Sequence, residues 1–95
     1  MRVLLTEVYR DWIDSLEDRF ARARIQVRVD RLIHGHPGKG RNLRGGISEL
    51  KIDFGPGYRV YYTRHGNKLL VLLAGGDKST HEQDIAKAAA LAANL

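Results

Sequence analysis

Residues 46–76 read Gly46-Ile-Ser-Glu-Leu-Lys-Ile-Asp-Phe-Gly-Pro-Gly-Tyr-Arg-Val-Tyr-Tyr-Thr-Arg-His-Gly-Asn-Lys-Leu-Leu-Val-Leu-Leu-Ala-Gly-Gly76. Leu50, Ile52 and Phe54 alternate with Glu49, Lys51 and Asp53, the period of a strand with one dry and one wet face. Gly55-Pro56-Gly57 supplies a tight turn. A second strand then puts Tyr58, Val60 and Tyr62 on one face and Arg59, Tyr61 and Thr63 on the other. Gly66-Asn67 marks another turn, and Leu69 to Ala74 is apolar throughout, as in a central strand covered on both faces. The reading is a three-stranded meander. With a three-residue turn, Phe54 stands opposite Tyr58, Asp53 opposite Arg59 and Lys51 opposite Tyr61. Its polar face is then cationic and partly aromatic, with Glu49 at the edge. A slip of one residue would send every side chain to the other face.

Working outward, Arg2 to Leu5 is a short apolar strand, and Thr6 caps a helix over residues 7–18 with a stripe of Val8, Tyr9, Trp12, Ile13 and Leu16. A second helix covers residues 19–34, with Ala21, Ile25, Val29, Leu32 and Ile33 inward. Beside that face Arg24, Arg28 and Arg31 form a stripe, either a phosphate-gripping ridge or a solvated helix face. Residues 35–46 form a glycine-rich cationic loop carrying Lys39, Arg41 and Arg44. His34 and His36 lack a third ligand nearby, so no metal site is expected. Ser79 with Glu82, or Thr80 with Gln83, fits a capping box that starts a last helix, running to about Ala93 with Ile85, Ala88, Ala89 and Ala92 inward. The expected fold is α+β, in the order β-α-α-β-β-β-α: one small, mostly antiparallel sheet with helices on one face and the other face left for a partner.

Ninety-five residues are enough for one domain, 1–95. The absence of cysteine excludes disulfides, thiolate catalysis and cysteine-bound zinc. No stretch has the length of a membrane span and no secretory signal opens the chain, so a cytoplasmic protein is expected. The net charge is +5, and it is concentrated: residues 19–68 hold twelve Lys/Arg against Asp30, Glu49 and Asp53. A basic middle between mildly acidic ends fits a polyanionic partner, and equally a soluble protein with a basic surface.

Three segments, Trp12-Ile-Asp-Ser-Leu16, Glu49-Leu-Lys-Ile-Asp-Phe-Gly-Pro-Gly-Tyr-Arg-Val-Tyr-Tyr62 and Gly75-Gly-Asp-Lys-Ser79 with Asp84-Ile85, resemble the RelE/ParE superfamily of bacterial type II toxins. The HigB-like addiction-module killer branch is the most similar. The resemblance implies a RelE-like fold and ribosome-dependent, metal-independent mRNA cleavage with no cofactor. It also implies a helix-turn-helix antitoxin as partner, and a toxin–antitoxin hetero-oligomer on operator DNA. Lys51, Arg59 and Lys78 match the basic site residues of RNA-cleaving members. Glu49 stands where another lysine is common, and Asp84 or Ile85 where an aromatic is common.

By these residues' chemistry, Arg59 would stabilise the transferring phosphoryl group, Lys51 or Glu49 would act as base, and Lys78 would hold the backbone. His81 or Tyr61 would be the acid. Arg24, Arg28, Arg31, Lys39, Arg41, Arg44 and Tyr61 are the expected RNA contacts. Two other readings stand beside mRNA cleavage: a gyrase-directed toxin of the same fold, and a non-catalytic corepressor that binds its antitoxin. An Asp53–Arg59 cross-strand ion pair would be a purely structural role for that arginine.

Overall fold

The computed structural model describes residues 1–95. The elements are β1 (Arg2–Leu5), α1 (Glu7–Ser15), α2 (Arg19–Ile33), β2 (Gly40–Asn42), β3 (Ile47–Ile52), β4 (Tyr58–His65), β5 (Leu69–Asp77) and α3 (His81–Ala93). Single 3₁₀ turns precede β3 (Arg44–Gly46) and α3 (Lys78–Thr80). The sheet order is β1-β5-β4-β3-β2, and only the β1–β5 pair is parallel. The α+β class and the order of the main elements are therefore as expected. No helix is long and apolar enough to cross a membrane.

The meander forms, but its register differs from expectation by two residues. Ile52 pairs with Tyr58, Lys51 with Arg59 and Glu49 with Tyr61. The connection is five residues, Asp53 to Gly57, because the chain leaves the ladder after Ile52 and Phe54 turns back within the loop, where Gly57 N donates to its carbonyl at 3.1 Å. Gly55 and Gly57 take φ of 56° and 82°, which only glycine adopts readily. A shift of two preserves the faces, so the expected partition of side chains holds while the expected partners do not. Asp53 lies outside the ladder and pairs with Lys39 at 2.6 Å, so it does not brace Arg59 across the strands.

Both sheet faces carry helices, contrary to the expectation of one helical face. On the first, α1 and α2 lay Tyr9, Ile13, Ile25, Val29 and Leu32 against Leu50, Ile52, Val60, Leu70 and Leu72. On the second, Ala88 of α3, flanked by Ile85, Ala89 and Ala92, packs on Ile47, Tyr61, Val71, Leu73 and Ala74. The physical reason lies in β5: an apolar central strand needs cover on both faces, and the small side chains of α3 allow close approach. A bulge in β4–β5 pairing between Tyr61 and Tyr62 leaves Leu73 out of the register, and Thr6 Oγ1 donates to its carbonyl at 2.6 Å.

The helix starts follow side-chain chemistry. Thr6 accepts from Tyr9 N, and Asp18 accepts from Phe20 N and Ala21 N. Asp18 is thus the cap of α2, and α1 stops at Ser15 rather than continuing to residue 18. Neither expected capping box forms at α3. The Asp77 carboxylate accepts from Ser79 N and from its hydroxyl, and Thr80 Oγ1 donates to Asp84 Oδ2 at 2.6 Å. The capture of Ser79 by Asp77 produces the 3₁₀ turn that delays the helix to His81. Residues 40–42 also depart from expectation. They form β2 instead of loop, antiparallel to β3, with Gly40 opposite Leu50 and Arg41 opposite Glu49.

Candidate functional site at Glu49

Glu49 sits at the centre of β3 on the face that also carries α3, and is 3% exposed. A carboxylate so deeply buried needs charged or hydrogen-bonding partners. It has three. Oε2 accepts from Arg41 Nε at 3.0 Å. Oε1 lies 2.6 Å from His81 Nε2 and 3.6 Å from Arg59 Nε. The last is an ion pair too long for a hydrogen bond, and Arg59 Nε has no hydrogen-bond partner at all. Arg59 is itself buried, and its Nη1 donates to the Gly57 carbonyl at 3.0 Å. Three elements converge: β2 brings Arg41, β4 brings Arg59 and the first residue of α3 brings His81.

Gly40 makes the first of these contacts possible. A Cβ at residue 40 would collide with the Glu49 backbone carbonyl. Only glycine lets β2 close on β3 here and lay Arg41 across Glu49.

Arg59 forms a wall shared by two hollows. One, of about 430 Å³, is lined by Lys39, Gly40, Arg41, Glu49, Lys51 and Arg59. The other, of about 370 Å³, is lined by Arg59, Lys78, His81, the exposed Glu82 carboxylate and the polar residues Ser79, Thr80 and Gln83 at the start of α3. Lys51 and Lys78 are exposed on either side of Arg59, and Arg41 lies at the mouth. The only carboxylate of the first hollow is already shared among Arg41, Arg59 and His81, and Lys39 is paired with Asp53, so Lys51 is left as surplus positive charge there, while Lys78 shares the second hollow with Glu82. The site suits a phosphate group, with the His81 imidazole alongside.

The five expected catalytic residues, Glu49, Lys51, Arg59, Lys78 and His81, therefore line one divided cleft. Of the expected RNA contacts, Lys39 and Arg41 join them. Tyr61 does not: it is fully buried under α3, its hydroxyl without a partner, its ring centroid 6.4 Å from that of His81. Burial, with smaller contributions from Glu49 and Asp84, pushes its ionisation above the ordinary tyrosine range. Tyr61 is thus a core residue, neither a base-stacking platform nor an accessible proton donor. The alternation placed it on the polar face, but α3 covers that face at this point.

The α2 arginines lie elsewhere. Arg28 reaches the sheet edge, where Nη1 donates to the Lys51 carbonyl at 2.7 Å and Nη2 to those of Pro37 and Lys39 at 3.0 and 2.7 Å. It fastens β2 to the body of the protein instead of facing the cleft. Arg24 lies over the Phe54 ring, 4.5 Å from its centroid, and Arg31 is exposed on the same side of the helix. Arg44 is exposed in the 3₁₀ turn before β3 and lines neither hollow. No group of three or more His, Asp or Glu side chains is arranged to hold a metal ion.

Sequence reasoning missed the Arg41–Glu49 contact, because a glycine and two polar residues give β2 no apolar pattern to detect. It also missed the purpose of Gly75-Gly76. A Cβ at residue 75 would enter the Trp12 ring, and one at residue 76 would strike the Asp84 carboxylate. The paired glycines let α1 and α3 approach the end of β5 from opposite faces.

A Haemophilus influenzae protein of uncharacterized function is 40% identical over 95 residues, covering the whole of this chain and 96% of the relative. No family model matches the chain. With identity at that level over the full length, the chain belongs to the same family as the Haemophilus influenzae protein.

Proposed function

We propose that the protein is the toxin of a bacterial type II toxin–antitoxin pair and cleaves mRNA on the translating ribosome without a metal ion, with a helix-turn-helix antitoxin as its partner. The observation that carries this reading is the buried Glu49 carboxylate, which holds His81 at 2.6 Å beside Arg59 at a cationic cleft. Both carboxylate oxygens are engaged, so Glu49 is a positioning residue rather than a free base.

In the reaction, the ribose 2′-oxygen loses its proton to water at the open mouth and bonds to phosphorus. The bond to the 5′-oxygen then breaks, leaving a cyclic phosphate and a 5′-hydroxyl. Glu49 orients the imidazole through Nε2, which leaves Nδ1, 4.0 Å from the exposed Glu82 carboxylate, as the position that passes a proton to the departing oxygen. Arg59 meets the charge that develops on the phosphoryl oxygens, and one such donor is worth ~3 kcal/mol, or about 10²-fold in rate. Lys51 and Lys78 hold the flanking backbone from the two hollows.

The test is primer extension on a reporter mRNA with purified protein, with and without translating ribosomes. The expected result is codon-phased cutting only with ribosomes, lost in Arg59→Ala while that variant stays folded. An intact message with folded wild-type protein overturns the reading and directs attention to gyrase or to silent corepression.

A further inference from the structure

We propose that the exposed side of α2 is a docking surface for an acidic amphipathic segment of a partner protein. Helix α2 is apolar on two sides. Ala21, Ile25, Val29 and Leu32 enter the core. Phe20, Arg24, Val27 and Arg31, spaced i, i+4, i+7 and i+11, line the outward side. Phe20 is 69% exposed and Val27 48%. Single exposed apolar residues are ordinary, but Phe20 and Val27 lie two turns apart along one hollow. That hollow, of about 540 Å³, runs between α2 and residues 52–54, with Ile52 and Phe54 on its other wall.

Charge selects the occupant. Neither Arg24 nor Arg31 has an ion-pair partner, and Asp53, the one carboxylate of the hollow, is held by Lys39 at 2.6 Å. An apolar floor edged by unneutralised guanidinium groups is complementary to a helix that presents a few apolar side chains flanked by Asp or Glu. It is less suited to nucleic acid. Arg28, the middle of the three arginines, is committed to backbone carbonyls, and one face of Phe54 is already covered by Arg24. The proposal does not depend on the cleavage reading, since the Glu49 cleft opens on the other sheet face.

Isotope-labelled full-length protein is titrated with three probes and followed by backbone amide shifts. One probe is a helical peptide with Leu at i, i+4 and i+7 flanked by Glu; the second replaces each Glu by Lys; the third is a short single-stranded RNA. The acidic peptide is expected to bind with shifts concentrated in residues 20–31 and 52–54, about tenfold or more tighter than the lysine peptide. Phe20→Ser with Val27→Ser is expected to weaken it by a similar factor while the spectrum stays that of the folded protein, because both residues are solvent-exposed. Arg31→Glu supplies a second, purely electrostatic variant. Equal affinity for the two peptides, binding indifferent to these substitutions, or tighter occupation of these residues by the RNA overturns the proposal.

Discussion

Oε1 of Glu49 lies 2.6 Å from Nε2 of His81, joining the centre of β3 to the first residue of α3 across 32 positions of sequence. The 3₁₀ turn Lys78–Thr80, capped by the Asp77 carboxylate, leads directly into α3 and sets its first residue over the sheet. Buried as it is, the carboxylate fixes the imidazole's orientation from one side while Arg41 and Arg59 hold the carboxylate.

If His81 acts through Glu49, the two form one catalytic unit. Glu49→Gln and His81→Gln are each expected to reduce ribosome-dependent cutting by about 10²-fold, and the double variant to fall no further than the worse single one, since residues acting as a unit are not additive. Primer-extension rates under identical translation conditions measure this. Full additivity of the two losses would show that the residues act separately.

Tyr61 gives the opposite expectation. Its hydroxyl is buried without a partner, so Tyr61→Phe is expected to leave cutting unchanged and to alter stability by less than about 1 kcal/mol, in the stabilising direction. Activity assays and urea unfolding of the one variant check both. A large loss of cutting would make Tyr61 the proton donor after all.

Tyr9 contributes to an alkaline limit, together with Tyr61 and Tyr58, whose phenols burial also raises. Burial raises the Tyr9 phenol to about 12 from the usual 10.0. Between those values the unfolded chain has lost the proton and the folded chain keeps it. The unfolded state then binds fewer protons, and stability falls as pH rises above 10. Tyr9→Phe is expected to make this alkaline limb less steep in urea titrations between pH 9 and 11 (a range set by about one pH unit either side of the ordinary tyrosine value), with Tyr61 and Tyr58 supplying the remainder. An unchanged slope would assign the limb to other groups.

The paired glycines at the end of β5 are steric. Gly75→Ala is expected to destabilise the protein by about 2–3 kcal/mol, since the added methyl must displace the Trp12 ring within packed structure. Denaturant midpoints and tryptophan fluorescence of the folded state report the two consequences. A neutral substitution would mean that α1 shifts freely on the sheet.

Arg28 is expected to act at a distance. Arg28→Ala removes three hydrogen bonds to carbonyls and should loosen β2, raising hydrogen exchange at the Lys51 amide, which donates to the Lys39 carbonyl at 3.1 Å. Because β2 carries Arg41, cutting is expected to fall by about tenfold, and Arg28→Lys to restore it only in part, since an ammonium cannot span the same fork of carbonyls. Unchanged exchange at Lys51 would show that strand pairing alone holds β2.

The sequence by itself determined the elements whose causes are local. Thr6 and the stripe of Tyr9 and Ile13 announce α1. The inward series Ala21, Ile25, Val29 and Leu32 announces α2, and the alternation around Leu50 and Ile52 announces β3. The apolar run from Leu69 marks β5 as central. It also placed Glu49, Lys51 and Arg59 on one face, because the two-residue period survives the register error. Tertiary structure decided what stood opposite them. Gly55-Pro56-Gly57 marks a turn without specifying whether three or five residues connect the strands, and the folded register sets Lys51 beside Arg59. Gly40, Arg41 and Asn42 became β2 because Gly40 could close on β3 and Arg28 could hold the segment there. Tyr61 and Arg59 share a face, yet α3 seals the first into the core and leaves the second at a cleft. A periodic pattern encodes which side chains point the same way; what covers that side is a contact between residues distant in sequence, which no local pattern specifies.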